Sequence, residues 1–122
     1  VLALAVAKAL HVHAIAGDCD TDSLRVAARH CQLAGMKAHV TLLQSWGTRH
    51  NAIQRHAPYP LVVANILAEP LVKLAPAFAR VTQARGTLIL SGLLAWQAQR
   101  IEATYRAHGF SIRTRRRIGI AE

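Results

Sequence analysis

The four residues Leu61-Val62-Val63-Ala64, closed in by Pro60 and Asn65, constrain the fold of this chain more than any other segment. The run is continuously apolar, partly β-branched and too short for a helix. It reads as a central strand ending at Asn65, buried on both faces, which is the habit of parallel sheets covered by helices. The next segment has a helical pattern. Pro70 suits a helix start, and Leu71, Leu74, Ala75 and Phe78 recur at helical spacing, so a helix is predicted over 69–80. Gly86 then opens a strand, Thr87 to Leu90, that closes at Ser91-Gly92. Leu94, Gln97, Ile101 and Tyr105 mark a further helix to about His108, ended by Gly109, and residues 110–120 read as extended.

The first half repeats the alternation. Residues 1–10 are rich in Ala and Leu and carry high helix propensity with no N-cap before them, as in a helix whose beginning has been cut off. His11 to Gly17 alternates in the strand manner and stops at Asp18. Asp20 or Thr21 can cap a helix to about Ala34, with Leu24, Ala27, Ala28 and Cys31 on its apolar face and Gly35 as the stop. A strand is predicted at Ala38 to Leu43, and Gln44 to Pro60 reads as a loop with one helical turn near Ala52. Strands alternating with helices predict a parallel, doubly wound α/β sheet in a single domain.

A chain of 122 residues with 52% hydrophobic residues can bury a core and is not disordered, though it is short for an α/β enzyme domain. No run approaches the length of a membrane span, and Val1 to Ala7 lacks the basic region and cleavage site of a signal peptide. Cys19 and Cys31 have no metal or redox spacing and read as free thiols in a reducing cytoplasm. A formal charge of +9 raises the question of nucleic acid. The cations are scattered, however, and only Arg113, Arg115, Arg116 and Arg117 cluster, which argues against a dedicated phosphate-binding face. The acids are concentrated instead. All three Asp in the chain, Asp18, Asp20 and Asp22, fall within five residues.

Ligands of doubly wound sheets bind beyond the carboxyl ends of the strands, where this chain places Asp18, Asn65 and Ser91-Gly92. A carboxylate at such a strand end can accept two O–H bonds from ribose hydroxyls, the role open to Asp18, whereas Asp20 serves as the helix cap. The Asn65 carbonyl can accept a hydrogen bond from a substrate amine, or it satisfies a turn. No metal set is expected, because the seven His include the alternating His11 and His13 with no Cys or carboxylate at suitable spacing. P-loop, GxGxxG and nucleophile-elbow motifs are absent. Trp46 and Trp96 are assigned by default to core or loop packing, with stacking on a ligand as the alternative.

The strings Leu61-Val62-Val63-Ala64-Asn65-Ile66-Leu67-Ala68-Glu69-Pro70-Leu71, Leu74-Ala75-Pro76 and Gly86-Thr87-Leu88-Ile89-Leu90-Ser91-Gly92-Leu93-Leu94 together resemble the PrmA family. Its members are S-adenosylmethionine-dependent methyltransferases of ribosomal protein L-eleven. Gly17-Asp18-Cys19-Asp20 is similar to the family's Gly-x-Asp-x-Asp-Pro segment, with Thr21 in place of Pro. Pro60, where Asp is usual, and Gln83-Ala84-Arg85-Gly86, where Lys-Pro-Gly-Gly is common, depart from the pattern. The resemblance implies a Rossmann-like class I methyltransferase sheet, incomplete, with the first strand, its Gly-rich loop and the last strand missing. Residues 1–122 would then be part of the catalytic domain, without the N-terminal domain that recognises the substrate.

The same resemblance implies S-adenosylmethionine as cofactor, Asp18 on its ribose hydroxyls, and Asn65 at the reaction centre as both cofactor-binding and catalytic residue. The implied reaction is transfer of methyl groups to amines, Lys side chains and the N-terminus, of the ribosomal protein, in the cytoplasm and with no membrane partner. Another class I methyltransferase, or a non-catalytic basic remnant binding RNA, stands as the alternative.

Overall fold

The computed structural model describes residues 2–116 and divides the chain into two compact units, Val1–Arg55 and His56–Glu122. Each contains one pair of parallel strands.

In the first unit the Ala- and Leu-rich opening forms α1 (Leu2–Leu10), followed by β1 (Ala14–Asp18), α2 (Thr21–Leu33) and β2 (Val40–Gln44); the short α3 (Asn51–His56) comes next and ends on the first residue of the second unit. β1 and β2 run parallel in unbroken register from Ala14 opposite Val40 to Asp18 opposite Gln44. Ala7, Cys31 and Val40 form the small core, with Leu4, Ala14, Met36 and Leu42 packed around it. Of the apolar face predicted for α2, Cys31 is buried and Leu24 and Ala27 are half-buried, while Ala28 is exposed.

Both strand starts in this unit differ from the sequence expectation. β1 begins at Ala14 rather than His11, because His11 has a positive φ of 54° that ends the α1 segment in a turn. His13 instead reaches the neighbouring strand, its Nε2 lying 2.6 Å from Thr41 Oγ1. β2 begins at Val40 rather than Ala38, because Lys37–His39 close a 3-10 turn, with His39 N donating to Met36 O at 2.9 Å.

Asp20 caps α2 as predicted. Its extended backbone (φ −93°, ψ 113°) turns the side chain back on the first turn, where it accepts from Asp22 N and Ser23 Oγ, each at 3.0 Å. The Asp22 amide above all, and then the Ser23 hydroxyl, hold the Asp20 carboxyl below its usual value.

In the second unit β3 (Tyr59–Asn65) pairs in parallel with β4 (Thr82–Ser91), α4 (Ala68–Val81) connects them, and α5 (Ala98–Ala107) comes after. The register runs from Leu61 opposite Thr87 to Asn65 opposite Ser91. β4 starts at Thr82, earlier than the predicted Thr87, because Thr82 pairs with Tyr59 before an irregular stretch in which Arg85 takes a positive φ of 65°. Residues 110–116 lie in no strand, contrary to the extended pairing expected of that segment; the remainder of it lies outside the described residues. Among the described residues the strands form two two-stranded sheets, one in each unit, where a single sheet was expected.

The core here is α4 against the sheet and α5. Leu71, Ala75, Phe78 and Val81, spaced at helical intervals, are buried together with Ala64, Ile101 and Tyr105. The Tyr105 hydroxyl donates to the Leu71 carbonyl at 2.7 Å, and burial pushes it up to about 12, so it remains a donor through neutral pH. At the helix surface Glu69 pairs with Arg100 at 2.6 Å, linking the start of α4 to α5.

These contacts set two stability outcomes. Leu71 is the largest fully enclosed side chain, so Leu71→Ala is expected to cost about 3 kcal/mol in urea denaturation, and a loss below about 1 kcal/mol would contradict this packing. For the cap, a carboxyl held below its unfolded value stabilises the fold above that value, and the gain disappears as pH falls through the native one. The Tm gap between the unaltered protein and Asp20→Ala should therefore be open at neutral pH and narrow as pH falls below the ordinary carboxylate range. A gap independent of pH would show that the charged cap contributes nothing.

Candidate functional site

Asp18 and Asn65 are the last residues of β1 and β3, the strand ends that the sequence selects, and both are exposed. They lie in different units, and each has its own local setting.

Around Asp18 the chain is tied down by its backbone. Ser45 N, just past the end of β2, donates to the Asp18 carbonyl at 3.0 Å, so the parallel ladder continues one bond beyond the strand. Asp18 Oδ1 accepts from Asp20 N at 2.9 Å, which turns the carboxylate toward the start of α2. An ionised carboxylate offers about four lone-pair sites, so this one bond leaves capacity for two hydroxyl donors. Gln44 Nε2 donates to the Cys19 carbonyl at 3.4 Å and steadies the same loop. Asp22 is engaged elsewhere, paired with Arg25.

Ser45 is a participant that sequence reasoning missed. It is 4% exposed, its Oγ donates to Gly47 O at 3.0 Å, and a Cβ on Gly17 would collide with that Oγ. Gly17 thus lets the residue before Asp18 approach the β2 turn closely. The glycine was visible in the sequence; its neighbour, 28 positions away, was not.

Asn65 ends β3 opposite Ser91, which brings the Asn65 and Ser91-Gly92 positions together as the strand-end argument required. Gly92 comes directly after β4 with φ +82°, and a Cβ there would collide with Asn65 Oδ1. The chain after Asn65 enters α4 through Leu67 in an extended conformation, with Leu71 N donating to Leu67 O at 3.2 Å. Pro70 lies in the first turn of that helix, where its missing N–H has no intrahelical partner to lose.

Of the default assignment of the two tryptophans to core or loop packing, the structure removes the core and leaves the loops. Trp46 is 70% and Trp96 73% exposed, so neither packs in a core. Trp46 sits in a tight turn bridged to Arg49, and Trp96 in a 3-10 turn between β4 and α5.

Of the terminal arginines, Arg115 is engaged with Glu102 at 2.5 Å, which holds the Glu102 carboxyl below its usual range. Cys19 is exposed and Cys31 buried, both as free thiols. Among the described residues no group of three or more His, Cys, Asp or Glu could hold a metal ion, and no helix is long and apolar enough to cross a membrane. A hollow of about 280 Å³, lined by Ala7, Lys8, His11, Val12, Met36 and His39, lies by the amino end of β1, away from Asp18.

Comparison with known proteins identifies the family of the chain. The family described as ribosomal protein L11 methyltransferase (PrmA) matches residues 1–119. A ribosomal protein L11 methyltransferase of Chelativorans sp. is 42% identical over 110 residues, which cover 90% of this chain and 38% of that protein. One of Bradyrhizobium diazoefficiens is 45% identical over 109 residues, covering 89% of this chain and 37% of the relative. The chain thus spans less than two fifths of the length of these relatives. No solved structure matches it. With polar residues at the carboxyl ends of parallel strands and a family match over nearly all its length, this chain belongs to the ribosomal protein L11 methyltransferase (PrmA) family.

Proposed function

We propose that this chain is part of the catalytic domain of an S-adenosylmethionine-dependent methyltransferase whose substrate is the amines of ribosomal protein L11, acting in the cytoplasm. The observation that carries the reading is Asn65, exposed at the carboxyl end of β3 with its carboxamide oxygen against Gly92, in a chain of this family. The fold proposed is of the Rossmann-like class I type, and each strand pair by itself has the character of such a sheet. Its support is that both pairs are parallel and that α4 makes the crossover between β3 and β4.

The residues present fit the cofactor. Asp18 is an exposed carboxylate with acceptor capacity to spare, set beside a glycine at a strand end, which suits a pair of ribose hydroxyls. S-adenosylmethionine, when bound, supplies a methyl group on a positively charged sulfur. The protein has no bond to make in such a displacement. Its part is to bind the donor, exclude misaligned encounters and hold the neutral amine in line, so orientation supplies most of the rate. Asp18 holds the ribose. The Asn65 carbonyl accepts an N–H of the target amine, which points the nitrogen lone pair toward the methyl carbon.

The test is methyl transfer from labelled S-adenosylmethionine to ribosomal protein L11 by the protein that carries this chain. Asn65→Ala is expected to lower kcat about 100-fold with little change in KM for the donor, the scale of a misaligned reacting group. Asp18→Ala is expected to raise the donor KM at least about tenfold, as loss of a charge-assisted pair of hydrogen bonds would. Turnover by Asn65→Ala within about twofold of the unaltered protein would sink the assignment, since misalignment costs far more.

A further inference from the structure

Three glycines past strand or helix ends share a backbone that L side chains avoid, yet they do not share surroundings. Gly35 and Gly109 have φ of +69° and +94°, and a Cβ on either would meet nothing within 4 Å. They stop α2 and α5, and backbone freedom alone accounts for them. Gly92, with φ +82°, differs. The place of its missing Cβ is taken by Asn65 Oδ1, with Asn65 Cγ 3.6 Å and the Ile66 carbonyl 3.8 Å away. Nearly all the crowding at Gly92 therefore comes from one side chain, that of the residue proposed to aim the amine.

We infer that Gly92 is a positioning residue for the methyl-transfer reaction: its bare Cα forms the seat for the Asn65 carboxamide oxygen and so sets the direction from which the target amine is held. The inference rests on the reading of Asn65 given above and extends it to a residue that touches neither donor nor amine. Two features make the seat rigid. Asn65 and Ser91 are register partners, so the parallel ladder fixes the spacing of the two strand ends up to the residue before Gly92. Beyond Asn65 the chain turns into α4, which is anchored by the fully enclosed Leu71 and Ala75, and this limits how far the strand end can shift. A side chain at 92 would displace the carboxamide oxygen from its present position. The oxygen would then leave its place while Asn65 stayed in the chain.

A double-mutant cycle separates this seat from plain backbone strain, because strain at φ +82° is the same whatever stands at 65. The variants are Gly92→Ala, Asn65→Ala and the pair, read by kcat, by KM for S-adenosylmethionine and by Tm in the protein that carries this chain. Gly92→Ala alone is expected to lower kcat at least about tenfold with the donor KM within about twofold, since the damage is to alignment. In the Asn65→Ala background, where Oδ1 and Cγ are gone, the same substitution should cost no further kcat and a clearly smaller drop in Tm. If Gly92→Ala does not fold, recovery of folding in the pair supports the seat, and failure of the pair as well overturns it. Equal losses of kcat and Tm in both backgrounds overturn it too, leaving only the backbone. Unchanged turnover in Asn65→Ala alone sinks the role of Asn65 in the reaction, and with it the positioning role of Gly92; the Tm coupling then still reports whether the oxygen sits on Gly92.

Discussion

Parallel pairing of β3 with β4 is the constraint on which the second unit depends. Two parallel strands cannot be joined by a hairpin, so the chain between Asn65 and Thr82 must cross over the sheet, and α4 is that crossover. Covering the sheet gives α4 its buried stripe, Leu71, Ala75, Phe78 and Val81, and supplies the surface on which Ile101 and Tyr105 of α5 close the core. The same pairing brings Asn65 level with Ser91 and puts Gly92 directly beyond it. Packing and candidate chemistry thus share one cause: the register that buries Ala64 also presents Asn65.

The first unit uses the same geometry with less material. Its core has three buried residues, Ala7, Cys31 and Val40, and two of them are small. Order near Asp18 comes mainly from hydrogen bonds: Ser45 N to the Asp18 carbonyl, Asp20 N to its carboxylate, and the Asp20 cap on α2. A polar loop built this way can expose a carboxylate without leaving its backbone groups unsatisfied. It also places the acidic cluster by geometry rather than by charge alone, with Asp20 spent on the helix and Asp22 on Arg25. Asp18, whose Oδ1 accepts from Asp20 N, is the remaining member, the one proposed above to meet the ribose.

The elements read most securely were those whose signals are local. Asp20 capping α2 and Asn65 ending β3 depend on residues a few positions apart, and both positions hold in the structure. Strand starts were read less well: alternation does not report the positive φ of His11, and the pairing of Thr82 with Tyr59 joins residues 23 positions apart. Exposure of Trp46 and Trp96 likewise comes from the turns that carry them rather than from their own hydrophobicity. At the candidate site the strand-end residues were legible, but the seat between Asn65 and Gly92 and the approach of Ser45 to Gly17 join positions far apart in the chain. Such pairs are created by register, which a single sequence specifies only through the finished sheet.

The central proposal is that Asp18, at the carboxyl end of β1, meets the methyl donor and that Asn65, at the carboxyl end of β3, meets the reacting amine. Titration of S-adenosylmethionine into the isotope-labelled protein that carries this chain, monitored by backbone amide and Asn side-chain NMR signals, tests it directly. The account predicts saturable shifts concentrated on Asp18, Cys19 and Asp20, with the Asn65 carboxamide among them. Shifts centred instead on Lys8, His11 and His39, which line the hollow by the amino end of β1, would contradict it, as would spectra that do not change at all.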